Sequence, residues 1–134
     1  MKIDKDTQTL IDERIKNNAP PLESFSPQEL RALRAKMAET PEELRVFISH
    51  VKDFTLKGSL GSITVRKYSD ENLDTLINQK QPLIIYFHGG GFVMGDLESH
   101  DLVCRHLCKQ TNATIIAVDY KLAPEHKFPA AITD

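Results

Sequence analysis

The sequence predicts an α/β fold in which a helical segment precedes an antiparallel hairpin and then a βαβ unit. Three observations carry that expectation. Up to about residue 45 apolar residues recur at helical spacing, and from about Val46 they follow a strand pattern. A wholly apolar run, Leu83-Ile84-Ile85-Tyr86-Phe87, leads straight into His88-Gly89-Gly90-Gly91-Phe92. Behind it lie a helical stripe around residues 99–110 and a second apolar run, Ala113–Val118. Strand, helix and strand at this spacing describe two parallel strands joined by a crossover helix. The chain thus divides into a helical segment, residues 1–45, and an α/β core, residues 46–134.

The elements follow in order. Over residues 4–17, Leu10, Ile11 and Ile15 line one face of an amphipathic helix. Asn17-Asn18-Ala19-Pro20-Pro21 ends it, because proline lacks the N–H and constrains the residue before it. A second helix opens at Ser26-Pro27-Gln28-Glu29, with Ser26 as N-cap, Pro27 in the first helical position and Glu29 closing a capping box. Leu30, Leu33 and Met37 form its apolar stripe, read as core. Val46–Leu56 and Ile63–Tyr68 flank Lys57-Gly58-Ser59-Leu60-Gly61-Ser62, a hairpin loop. Ile63, Val65 and Lys67 alternate with Thr64, Arg66 and Tyr68, so one hairpin face is only partly apolar. In the polar connection Ser69–Gln81, Leu73, Leu76 and Ile77 suggest a short helical turn. Leu83–Phe87 has the continuous apolarity of a parallel strand covered on both faces. The helix Ser99–Gln110 is expected to turn Leu102, Val103, Leu107 and Cys108 inward. After Ala113–Val118 come Asp119, Tyr120 and a loop from Lys121 to Phe128, and Pro129 opens a further helix.

Composition narrows the function classes. A chain of 134 residues, 40% hydrophobic and 27% charged, is expected to form an ordinary globular domain. Its formal net charge of −2 makes no case for nucleic acid or for an anionic membrane surface. No apolar run approaches the ~18 residues of a membrane span. The start, Met1-Lys2-Ile3-Asp4-Lys5-Asp6, has no apolar core behind it, so no secretory signal is expected and the cytoplasm is the expected compartment. Cys104 and Cys108, four apart on a helix, are poorly placed for a disulfide and read as small buried hydrophobes. A metal pair there needs further ligands, and the spacing of His100 and His106 does not bring all four onto one face. No metal or cofactor is expected.

The glycine run carries the chemistry. Three consecutive glycines leave no Cβ in the way of a tight turn, so backbone N–H groups at the end of a strand are free to face a ligand. Such a cradle suits a developing negative charge. A nucleotide site is the competing reading of strand, glycine loop and helix. It fails on the residues: a Gly-x-Gly-x-x-Gly pattern from Gly89 needs glycine where Met94 stands, and no Gly-Lys-Ser/Thr follows.

Two motifs together carry a resemblance. Tyr86-Phe87-His88-Gly89-Gly90-Gly91-Phe92, with Gly95 shortly after, is one. Val118-Asp119-Tyr120-Lys121-Leu122-Ala123-Pro124-Glu125-His126-Lys127-Phe128-Pro129-Ala130-Ala131 is the other. In order and approximate spacing they resemble the hormone-sensitive-lipase-like branch of the α/β-hydrolases, over roughly the second half of the chain. The resemblance implies a serine carboxylesterase or lipase acting on small acyl esters. It implies that Gly90 and Gly91 supply two oxyanion-hole N–H groups, with Gly89 serving the turn and His88 bracing the loop. Phe92, Asp119, Tyr120 and Glu125 then support the site, and the helices of residues 1–45 form part of a cap. Where the family more often has arginine, this chain has Lys121.

One feature of the family pattern is absent. No serine here sits in Gly-x-Ser-x-Gly; Gly58-Ser59-Leu60-Gly61 lacks the spacing and lies in a hairpin turn. By the family's order the nucleophilic serine, the acid and the base all follow Asp134. The expectation is therefore a truncated α/β-hydrolase fold, with the helical segment and the first four strands, and an inactive chain when alone. With no neighbour beside it, Leu83–Phe87 becomes an unpaired sheet edge that invites self-association. A non-catalytic interaction protein that pairs through that edge is the alternative reading.

Overall fold

A computed structural model describes residues 3–37, 41–70 and 82–134. The turn suggested by Leu73, Leu76 and Ile77 lies outside the described residues.

The alternating segments pair into one mixed sheet. β1 (His50–Gly58) and β2 (Gly61–Ser69) form an antiparallel hairpin, and β2 also pairs antiparallel with β4 (Thr114–Asp119). β4 pairs parallel with β3 (Leu83–Phe87), giving the order β1-β2-β4-β3. The hairpin differs from expectation in detail. β1 starts at His50, not Val46, and the strands run on until Gly58 pairs with Gly61, leaving a two-residue turn. A side chain at position 58 would collide with Ile63 Cδ1 at 2.5 Å.

The helices are α1 (Lys5–Lys16), α2 (Pro27–Met37), α3 (Asp101–Thr111) and a short α4 (Ala130–Thr133), of which α3 packs on β2 and β4. Local chemistry sets the helix ends. Asp4 accepts from the N–H groups of Asp6 and Thr7, and Ser26 and Glu29 exchange the reciprocal bonds of a capping box, 2.7 and 3.3 Å. Asn112 ends α3 in a left-handed conformation. No helix among the described residues is long and apolar enough to cross a membrane.

The core sits between one sheet face and α3. Ile48, Tyr68, Leu97, Cys104, Cys108, Ala113, Ile115 and Ala117 are buried there, with Ile84 and Tyr86 packed against them. The inner stripe of α3 is only partly the expected one: Cys108 is buried and Leu107 packs against the core. Asp101, Cys104 and Cys108 point in, while Val103 is 45% exposed. An aspartate is tolerated inside because donors surround it. The buried Tyr68 hydroxyl donates to Asp101 Oδ1 at 2.9 Å, Arg105 Nε donates to Oδ2 at 2.6 Å, and Arg66 lies 3.6 Å away. Arg66 in turn grips Asp53 and Glu98.

The opposite face is open beside β3. Leu83, Ile85 and Phe87 are 60%, 56% and 63% exposed, so β3 is covered on one face only and forms an edge of the described sheet. Its apolar sequence expects cover on both faces; the residues described supply it on one.

Candidate active site

The glycine loop begins where β3 ends. Gly90 has φ +140° and Gly91 φ +63°, both in the region glycine favours. The Gly90 carbonyl accepts from Val93 and Met94 N–H at 3.1 and 2.9 Å, which closes the turn. A Cβ on Gly90 would lie 1.9 Å from the Met94 carbonyl oxygen. A Cβ on Gly95 (φ +93°) would lie 2.4 Å from both the Gly89 oxygen and His88 Nδ1. Phe92, at φ +61°, is in a left-handed conformation uncommon for a bulky residue. Its carbonyl accepts from Ala123 N–H at 2.8 Å, joining the glycine loop to the Lys121–Phe128 loop. The N–H groups of Gly90 and Gly91 donate to no other described residue.

His88 sits beneath this turn and is buried. Its Nδ1 lies 3.0 Å from the Gly89 carbonyl, so this nitrogen carries the proton and donates. Nε2 is buried without a hydrogen-bond partner. The ring stacks on Tyr120 at 4.2 Å and 15°, and lies 5.4 Å from His100. The Tyr120 hydroxyl donates to the His88 carbonyl. Burial, then the neighbouring His88, hold His100 below the usual histidine range. Asp119 is exposed by surface area, yet the chain crowds its carboxyl enough to push it above the usual carboxylate range, with His88 acting the other way.

A cleft of about 500 Å³ opens over the loop, walled by Phe87, His88, Gly89–Phe92, Tyr120, Ala131 and Ile132. Gly90, Gly91, Gly89, His88, Phe92 and Tyr120 therefore meet at one place. Glu125 does not line that cleft. Its carboxylate binds Arg31 at 2.8 and 3.0 Å and Gln28 at 2.9 Å, and Arg31 holds it at about 2, well below the usual carboxylate range. Lys121 binds Asp134 through Nζ at 2.7 Å and its own N–H at 2.9 Å. Residues that the sequence reading did not assign to the site are Arg31, which bonds the Val93 and Ala123 carbonyls, and His100, whose ring is tilted against that of His88. Nothing in the spacing of Arg31 signals its reach; His100 drew notice only as a metal ligand.

Residues 84–134 match the model of a family described as alpha/beta hydrolase fold. The chain is 39% identical over 105 residues to Esterase LipI of Mycobacterium tuberculosis, covering 78% of this chain and 32% of that protein. It is 34% identical over 106 residues to Carboxylesterase NlhH of the same species, covering 79% and 32%. Among solved structures, the carboxylesterase EstE1 from a metagenomic library superposes with a TM-score of 0.75 at 36% identity, covering 85% of this chain and 37% of that one. A hyperthermophilic esterase from Pyrobaculum calidifontis gives 0.74 at 32% identity, covering 99% and 41%. The chain spans about a third of the length of these two curated relatives.

Proposed function

The chain belongs to the alpha/beta hydrolase fold family, and we propose that it is the part of a serine carboxylic-ester hydrolase, of the hormone-sensitive-lipase-like branch, that supplies the oxyanion hole. The observation that carries this is a pair of undonated N–H groups, on Gly90 and Gly91, beside an apolar cleft. When a nucleophile attacks an ester, the carbonyl oxygen becomes O⁻. Donors already fixed in place stabilise that charge without reorganising, and each is worth about 2.7–4 kcal/mol. His88 is a brace and not the base: its Nδ1 proton is committed to Gly89 and its ring is buried under Tyr120. Phe87, Phe92 and Ile132 make walls suited to a small acyl group. Residues 1–45, with α2 held against the loop by Arg31, serve as part of a cap. The free, buried thiols of Cys104 and Cys108 suit a reducing compartment, the cytoplasm.

No serine of the 134 stands in Gly-x-Ser-x-Gly, and in the family's chain order the acid and base follow the nucleophile, so this reading assigns none of the three to these residues. The isolated chain then hydrolyses no ester. Joined to the remaining two-thirds or so of Esterase LipI, residues 1–134 restore turnover of p-nitrophenyl acetate. A chimera that folds and binds substrate but does not turn it over counts against the assignment. Stoichiometric labelling of the isolated chain by a fluorophosphonate sinks its inactivity.

The exposed β3 edge favours a second reading, in which the chain pairs with another strand, including a second copy of itself. Light scattering after size exclusion then finds a defined oligomer that Ile85→Lys disperses. A wild-type monomer at high concentration removes this reading.

A further inference from the structure

Arg31 stands on α2, a helix whose other described side chains are mostly exposed, yet its guanidinium is committed to the glycine loop. Nε donates to the Val93 carbonyl at 2.8 Å. Nη2 donates to the Ala123 carbonyl at 2.6 Å and to Glu125 Oε2 at 2.8 Å, and Nη1 to Glu125 Oε1 at 3.0 Å. These bonds land on both halves of the cleft's frame. Val93 belongs to the turn that closes on the Gly90 carbonyl, and Ala123 is the residue whose N–H holds Phe92. Phe92 keeps its left-handed conformation only if the surroundings hold it there.

We propose that Arg31 is the positioning residue of the glycine loop: one guanidinium locks α2, the Val93 turn and the Ala123–Glu125 loop together and so sets where the Gly90 and Gly91 N–H groups point. The proposal rests on the oxyanion-hole reading for its catalytic consequence, but not for its structural one. Lysine cannot replace the arginine. A planar fork with five donors reaches two carbonyls and a carboxylate at once, whereas an ammonium is a single point with three donors. The acid partner matters less than the carbonyls. Arg31 and Glu125 side chains are 28% and 41% exposed, so their ion pair is screened, while the two carbonyl bonds are partly buried.

Two measurements test it separately. In the 134-residue chain, hydrogen–deuterium exchange reads the peptides covering residues 88–95 and 121–126, with β1 and β2 as internal reference. Arg31→Ala and Arg31→Lys are expected to speed exchange in both loops by about tenfold or more and leave the hairpin unchanged; Glu125→Gln moves them less. Loops that exchange at the free-peptide rate in the wild-type chain, or that do not respond to Arg31→Ala, overturn the proposal. In the chimera with the remainder of Esterase LipI, Arg31→Lys is expected to lower kcat about tenfold with little change in KM, since a displaced donor weakens transition-state binding. A rise in KM alone overturns the positioning role. A wild-type chimera without activity counts against the esterase reading, and the exchange result still decides the role of Arg31.

Discussion

Alanine placed in turn at Gly89, Gly90 and Gly91 is expected to give three different outcomes, and the backbone says why. At Gly90 the new Cβ would sit 1.9 Å from the Met94 oxygen and 2.5 Å from its carbon. An ordinary carbon–oxygen contact is about 3.3 Å, so the turn has to part by about 1.4 Å. The residue also sits at φ +140°, where a side chain adds roughly 1–3 kcal/mol of strain. A displacement above about 1 Å is enough to cost about 100-fold in rate, in line with loss of one oxyanion donor. At Gly91 nothing lies within 4 Å of the Cβ, so only the left-handed conformation, φ +63°, resists, at about 1–2 kcal/mol of stability. Gly89 has neither a crowded Cβ nor a left-handed φ, and alanine there stays within about 0.5 kcal/mol of wild type. The assay is kcat/KM for p-nitrophenyl butyrate in the chimera with Esterase LipI, beside urea denaturation of each variant. Equal activity in Gly89→Ala and Gly90→Ala, both folded, would refute the reasoning.

Three further outcomes are expected. Tyr68→Phe removes a buried hydroxyl that donates to the Asp101 carboxylate at 2.9 Å, so urea unfolding of the chain should report a loss of about 1.5–3 kcal/mol; no change means Asp101 is fully served by Arg105 and Arg66. The Glu125 carboxyl, lowered to about 2 by Arg31, adds stability that is complete above its ordinary value of 4.5 and fades as pH falls towards 2. An NMR titration of its side-chain carbon should find the low midpoint, and Arg31→Ala should return it to the ordinary range; an ordinary midpoint in the wild type speaks against the clamp. Burial pushes the Cys104 thiol up to about 11 and raises Cys108 as well, so a disulfide reagent at pH 8 should modify neither until the chain unfolds. Rapid native labelling contradicts that.

Much of the scaffold was legible locally. The capping box at Ser26 and Glu29 depends only on neighbours in sequence, as do the proline stop after α1 and the glycine turn after β3. The α3 stripe was legible only in part, at Leu107 and Cys108. Hydrophobicity favours Leu102 and Val103 over Asp101, and only the arrival of Tyr68, Arg66 and Arg105 reverses the order. The site divides the same way. Gly90, Gly91 and His88 announce themselves in one short run, whereas Glu125 reveals its role only through a partner 94 residues away.

By itself the sequence determined which segments become strands and helices, where the chain turns tightly enough to bare its N–H groups, and which family the motifs resemble. These follow from backbone preferences that act over a few residues. Only the tertiary structure decided that an aspartate lies on the buried face of α3, and that one arginine 62 residues from Val93 braces the glycine loop. Each of those depends on groups distant along the chain meeting in space. Burying a charge, or holding a strained turn, becomes favourable only once the partners that satisfy it are in place.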